Sequence, residues 1–259
     1  NRTIYKCSRM RVMCILTVWN EREYLPLKLE YCKQNKLEPY IIDNMSTDGS
    51  WEYLQENKVP SHRLDTGDSF DLRVLQNDIV ETLHREKPDW AIYNGCDLFP
   101  VTMEPLHDAL SRLDRRGFNL AQIECVNFFN TGEEREKKDP FNTYFHYGTM
   151  NKFNMIHKYN PVLRYLADDV SFPGQRLGVI EGMMINYGNT KTKEEREETL
   201  ERRRKAWANG EPPGHGSHYL EGERNNWIWP IEDLTDIRET KYWKYVQKLQ
   251  EVSKVVYKD

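Results

Sequence analysis

The run Arg11–Trp19 (RVMCILTVW) constrains this chain more than any other stretch. Its apolar residues are consecutive, not alternate, so a strand built from it needs cover on both faces. That is the condition of a parallel sheet held between helices. Two further runs follow: Tyr40–Ile42 closing on Asp43, and Trp90–Tyr93 closing on Asn94-Gly95-Cys96-Asp97. Ser61–Leu64 predicts a weaker strand between them. Helical spacing fills the gaps: Leu25, Leu29 and Cys32; Trp51 and Leu54 after the Ser46–Ser50 turn; then Leu72, Leu75, Ile79 and Leu83 within Phe70–His84, before Pro88. Asn20 and Glu23 have the spacing of a capping box for the first helix. This β-α alternation predicts a mostly parallel sheet flanked by helices. Ligands of such sheets sit at the carboxyl ends of the strands. Here those ends are Val18–Glu21, Asp43–Ser46 and Asn94–Asp97, and all three are polar.

After a helix around Thr102–Arg115 the pattern changes. Asn119–Phe129, Thr143–Met150, Phe153–Lys158, Val162–Leu166 and Leu177–Tyr187 read as strands with no long helix between them, which predicts antiparallel pairing and a mixed second half. Residues 133–139 read as an exposed loop. Lys191–Ala208 reads as a charged helix, with Glu and Arg recurring at i,i+4. Its Arg202–Lys205 end has the charge to meet a phosphate-bearing acceptor or an anionic membrane, but a solvated face is the preferred reading. The turn-rich 210–218 stretch precedes a segment containing Trp227, Trp229 and Trp243, read as core or contact residues. The expected division is one catalytic domain over 1–259, with a nucleotide-binding half (1–100), an acceptor half (101–205) and a C-terminal helical extension (206–259).

A chain of 259 residues can bury a core without disulfides. Its 37 Lys+Arg against 41 Asp+Glu give a net charge of -4, which argues against a nucleic-acid partner held through phosphates. The longest apolar run is too short to span a bilayer, so no transmembrane segment is expected. No signal-peptide pattern opens the chain, which starts at Asn1, so an anchor outside these residues stays open. Five scattered cysteines without a CxxC pair read as reduced thiols. The expected setting is cytoplasmic, with peripheral contact at the cytosolic membrane face left open.

Three segments in order, TVWNEREYL (Thr17–Leu25), IIDNMSTDGS (Ile41–Ser50) and DWAIYNGCDLF (Asp89–Phe99), resemble the family-2-like glycosyltransferases of the GT-A fold. In that family a first strand ends in an N-E pair, a second in D-x-x-S-x-D-x-[ST], and a later one in D-x-D. The resemblance is strong over residues 11–100 and weaker to about 205. It implies a GT-A-like, Rossmann-like sheet and a nucleotide-diphosphate-sugar donor, with a glycan, lipid-linked or protein acceptor. Asp43 would contact the nucleobase, and Val18, Asn20 and Glu21 would line the same pocket. Arg73 and Asn94 would stand near the donor, and Asp97 at its diphosphate. A divalent ion, Mg²⁺ or Mn²⁺, would be held by Asp97 and by a downstream histidine, His218, with His215 nearby. Gly95 replaces the first Asp of D-x-D, which weakens that metal expectation.

Inverting members use a carboxylate to take the acceptor's proton as its oxygen attacks the sugar. Asp169, with Asp168 beside it, is the candidate, and Glu181 is the next. The apolar neighbours of Glu181 suggest a strand embedded in the core, and the aspartates have plainer readings, as an Asx-turn, a helix cap or a solvated turn. Ser46 and Asp48 are read that way. The Val18-Trp19-Asn20 turn has no glycine, which weakens a nucleotidyltransferase or dinucleotide-binding alternative. A non-catalytic domain that keeps the fold and binds nucleotide-sugars or glycans is the remaining competitor, and Gly95 is the feature that favours it.

Overall fold

The computed structural model describes residues 10–67, 71–129, 139–166, 169–190, 193–208 and 234–257. Its centre is strand β1 (Val12–Val18), parallel to β2 (Glu38–Asp43) on one side and β4 (Trp90–Gly95) on the other, with β3 (Ser61–Arg63) parallel to β2. Beyond β4 come β7 (His146–Lys158), β6 (Leu120–Phe128), β10 (Leu177–Asn186) and β5 (Leu98–Thr102), in the order β3-β2-β1-β4-β7-β6-β10-β5. The short β11 (Thr235–Asp236) joins the other end of β7. The sheet is α/β and mostly parallel; β7 and β5 run against their neighbours.

Both faces of β1 are covered. Cys14, Leu16 and Val18 belong to one core with α1 (Leu25–Gln34), α2 (Ser50–Glu56), α4 (Leu106–Arg115) and α6 (Trp243–Val256). Met13 and Ile15 belong to the other, with α3 (Leu72–Glu86) and the hairpin of β8 (Arg164–Leu166) and β9 (Asp169–Ser171). The α3 stripe is buried at Leu75, Ile79 and Leu83, and Asp71 caps the helix by accepting from the N–H groups of Arg73 and Val74.

Several expectations change. Strand β5 went unseen because Pro100 sits in it; as the last strand in the order it is bonded on one side only, where a proline is tolerated. The two strands expected over 143–158 are one, β7. The second half is mixed: β10 runs parallel to β6, with a register shift between Val179 and Met183. Asn20 is not a helix cap, since α1 starts at Leu25 behind a Tyr24 cap. The C-terminal helix α6 packs into the main core through Tyr245, Val246, Leu249 and Val252. The 133–138 part of the expected loop, the 210–218 turn, Trp227 and Trp229 lie outside the described residues. Among the described residues no helix is long and apolar enough to cross a membrane.

Candidate active site

The registers Val18↔Asp43 and Thr17↔Gly95 bring the ends of β2, β1 and β4 side by side. Chain direction alone therefore gathers the three polar strand ends.

At the end of β1, Asn20 has a left-handed backbone (φ 51°), a conformation that Asn tolerates better than most residues. Its side-chain oxygen accepts the N–H of Thr47 at 2.8 Å, and its own N–H donates to Ser46 Oγ at 3.0 Å. Asp48 accepts the N–H groups of Arg22 at 2.9 Å and Ser50 at 3.0 Å. These bonds lock the loops after β1 and β2 together. Ser46 and Asp48 thus brace the turns here, while the N-cap of α2 is Gly49.

Asp43 is fully buried. Its Oδ2 accepts from Arg63 Nε at 3.0 Å and from the N–H of Ser46 at 3.2 Å. Arg63 also donates to the Ser46 carbonyl at 2.9 Å and lies over the Trp51 ring. The other oxygen, Oδ1, is buried with no hydrogen-bond partner among the described residues. A buried carboxylate oxygen left without a donor costs about 1–3 kcal/mol, more when charged, so this atom awaits a donor. Val18, also buried, is paired directly with Asp43.

At the end of β4 the chain turns through Cys96 and Asp97. The Asp97 carboxylate is tucked between two glycines. A Cβ on Gly95 would lie 2.7 Å from its Oδ1, and one on Gly188 2.8 Å from its Oδ2. Gly95 therefore gives this carboxylate its room, and an aspartate there would displace it. Asn186 lies beside the same gap: its Oδ1 accepts the N–H of Gly188 at 2.8 Å, and its Nδ2 donates to Asn127 at 2.7 Å. Glu21, nearly buried, completes the group: Glu21 and Asp97 both act on Cys96, whose thiol is pushed well up by burial first and by these charges after it. Asn94 points inward, accepting from Cys14 Sγ at 3.7 Å and donating to the Leu98 carbonyl at 3.3 Å, so it braces the turn that carries Asp97.

The remaining candidates lie apart. Arg73 is exposed in the first turn of α3, 4.0 Å from Asp71. Asp169 is exposed at the start of β9, its Oδ1 accepting the N–H of Val170 at 2.9 Å. Its hairpin packs with the α3-side core, whereas Cys96 and Tyr24, which feel the charge of Asp97, lie in the α1-side core. Glu181 is exposed on β10. Asp168, His215 and His218 lie outside the described residues.

The described residues supply few donors for a divalent ion, and the expected ligand His218 lies outside them. Among the described residues no three His, Cys, Asp or Glu side chains come together, Gly95 removes one carboxylate, and the neighbouring thiol is held protonated.

Sequence reasoning missed one residue here and preferred the wrong surroundings for another. Lys28 of α1 is fully buried, its ammonium donating to the Leu98 carbonyl and lying 4.7 Å from the Phe99 ring centroid, directly behind the Asp97 turn. Arg202 of α5 (Lys193–Ala208) is also nearly buried, with its guanidinium 4.0 Å from the Trp19 ring centroid. Lys28 had no local signal, and the solvated face preferred for the Arg202–Lys205 end does not hold at Arg202, which is turned inward.

No protein-family model matches the chain, and no curated protein matches it. Among solved structures, TarS of S. aureus is similar with a TM-score of 0.45 at 14% identity, covering 70% of this chain and 37% of that one. Its 1–349 form in complex with UDP gives 0.43 at 14%, covering 74% and 63%. Glucosyl-3-phosphoglycerate synthase from Mycobacterium tuberculosis, in complex with Mn²⁺, UDP-glucose and phosphoglyceric acid, gives 0.32 at 14%, covering 49% and 46%. The chain thus spans less than two thirds of the length of these proteins. Likeness of this degree leaves the functional assignment to the site itself.

Proposed function

We propose that the protein transfers a glycosyl group from a nucleoside-diphosphate sugar to an acceptor hydroxyl. The observation that carries this reading is Asp43. A buried carboxylate with one oxygen fixed by Arg63 and the other lacking a donor, at the end of β2 and paired with Val18, suits the N–H edge of a nucleobase. Asn20 and the Ser46 turn would wall the base and ribose. The sugar and diphosphate would then lie toward β4, where Asp97 and Glu21 stand.

The chemistry asked of these residues is positioning and charge. Asp97, held between Gly95 and Gly188, would accept from the hydroxyls of the sugar so that the anomeric carbon faces the acceptor. An inverting displacement then forms the new C–O bond as the bond to the diphosphate breaks, and a carboxylate takes the acceptor's proton. We assign that base role to Asp169, exposed at the start of β9, with Asp168 next to it in sequence; the assignment puts the acceptor on the β8–β9 side of the strand ends.

The test is a thermal-shift and turnover panel of UDP-, GDP- and ADP-sugars. A bound donor at a hundred times its Kd adds about 2.7 kcal/mol of stability. Asp43→Asn should abolish the donor's shift while circular dichroism shows a folded protein. Asp97→Ala should keep donor binding within about tenfold and lose at least roughly 10² in turnover, the scale of one removed electrostatic contact. Full turnover in both variants would sink the reading. Donor binding without any turnover in the wild type would favour the non-catalytic alternative.

A further inference from the structure

The donor reading creates a charge problem at the strand ends. A nucleoside diphosphate is an anion, and it would arrive where Glu21 and Asp97 already stand, with Arg63 taken up by Asp43. The described residues do not form a metal set that could offset it. Yet a second guanidinium, besides that of Arg63, reaches this end of the sheet.

Helix α5 is charged along most of its length, but its sides differ. Glu197, Glu198, Glu201, Arg204 and Lys205 are exposed, while Leu200 and Arg202 are turned inward, at 7% and 9% exposure. The Arg202 guanidinium stacks on Trp19 at 4.0 Å. In the amide orientation that satisfies both its ends, Asn44 accepts from Arg202 Nη2 at 3.2 Å and donates to the Leu64 carbonyl at 3.1 Å. Trp19 and Asn44 immediately follow Val18 and Asp43, the paired last residues of β1 and β2. The cation therefore stands at the mouth of the pocket assigned to the donor, one strand from the Asp97 turn.

We propose that Arg202 is a donor-binding residue that meets the diphosphate and supplies the positive charge for which a metal ion would otherwise be needed. The inference rests on the donor reading above. A planar guanidinium can give two parallel N–H bonds to phosphate oxygens. Stacking on Trp19 fixes its plane beforehand, and burial keeps water from screening it. A lysine would keep the charge but lose the stack and the paired bonds.

The experiment compares UDP, GDP and ADP with the matching nucleosides by calorimetry, in EDTA and then with Mn²⁺, for wild type, Arg202→Ala and Arg202→Lys. Wild type should bind one diphosphate in EDTA. In Arg202→Ala the preference for diphosphate over nucleoside should fall roughly ten- to a hundredfold, as expected for a charge-assisted bond, while nucleoside affinity holds. The salt dependence of diphosphate binding should flatten, a readout that a merely structural role would not move. Arg202→Lys should restore part of the preference. An unchanged preference in Arg202→Ala, or tighter diphosphate binding, would overturn the proposal; the latter would mean that Arg202 only fills the site. Wild-type binding that requires Mn²⁺ would overturn it too, yet leave the donor reading standing. Binding of none of these ligands under either condition would remove the donor reading, and this inference with it.

Discussion

At the scale of single residues, His157 shows what burial does to a titratable group. It lies in β7 opposite Ala91 and Leu120, fully buried. Its Nδ1 faces the Lys158 carbonyl at 2.9 Å and its Nε2 faces the Tyr165 hydroxyl at 2.7 Å. The neutral ring fits these partners, with Nδ1–H donating and Nε2 accepting the hydroxyl proton. Burial lowers its pKa from 6.5 to about 4. The folded state therefore binds fewer protons than the unfolded state between those values. Its contribution is complete above pH 6.5 and is lost progressively as the pH falls toward 4. The full effect is on the order of 3 kcal/mol. Urea midpoints measured from pH 7.5 to 4.5 should fall for the wild type, and His157→Gln should flatten part of that slope. An equal slope in both proteins would show that His157 is not the group responsible. Other residues differ in how far their sequence neighbourhood revealed them. The strand ends at Asp43 and Asn94–Asp97 were legible because a consecutive apolar run marks a buried strand and the polar residues after it mark its end, while Asp97 itself was picked out by the resemblance to D-x-D. Arg202 was not, because alternating charges on a helix do not say which side a neighbouring element covers.

At the scale of elements, legibility followed how local the controlling interactions are. Strands β1, β2 and β4 and helix α3 are written in short-range pattern, and each forms within a residue or two of expectation at most boundaries. Strand β5 is held by distant partners: Tyr31 of α1 donates its hydroxyl to the Pro100 carbonyl, Lys28 reaches the Leu98 carbonyl, and β10 supplies the ladder. None of these is visible near Pro100 in sequence. The β8–β9 hairpin is the element on which the proposed base depends. Tyr165 packs against Tyr93 with ring centroids 5.2 Å apart and, with Val170, anchors it to the α3-side core, leaving Asp169 in solvent. A base contributes about 10²–10⁴ in rate. In its proposed role, Asp169→Asn should lower turnover at least a hundredfold and leave donor affinity unchanged, as read by steady-state kinetics beside calorimetry. Turnover within a few-fold of wild type would take the base role away from this hairpin.

At the scale of the whole molecule, the chain closes on itself. The three strand ends that form the candidate site are set by residues 12–95, but the face beneath them is completed from the other end of the sequence. Helix α6 packs on α1 and β5, burying Tyr245, Val246, Leu249 and Val252. Lys248 donates to the Met103 carbonyl at 2.7 Å, Gln250 to the Phe141 carbonyl at 3.2 Å and Ser253 to Asp139 at 2.6 Å. Each large apolar side chain is worth about 1.5–3 kcal/mol when fully buried. Four of them approach the roughly 5–15 kcal/mol that separates a folded domain from its unfolded chain. Removal of α6 would also uncover the apolar side of α1, the helix whose Lys28 and Tyr31 hold β5. Within the single domain expected over 1–259, the C-terminal helix therefore belongs to the core. A chain ended at Glu239 should lose cooperative urea unfolding or drop sharply in midpoint, and should expose surface that binds a hydrophobic dye. Donor binding should disappear with the fold, although every residue of the candidate site is still present. An unchanged midpoint with intact nucleotide binding would show that the sheet is stable without its last helix.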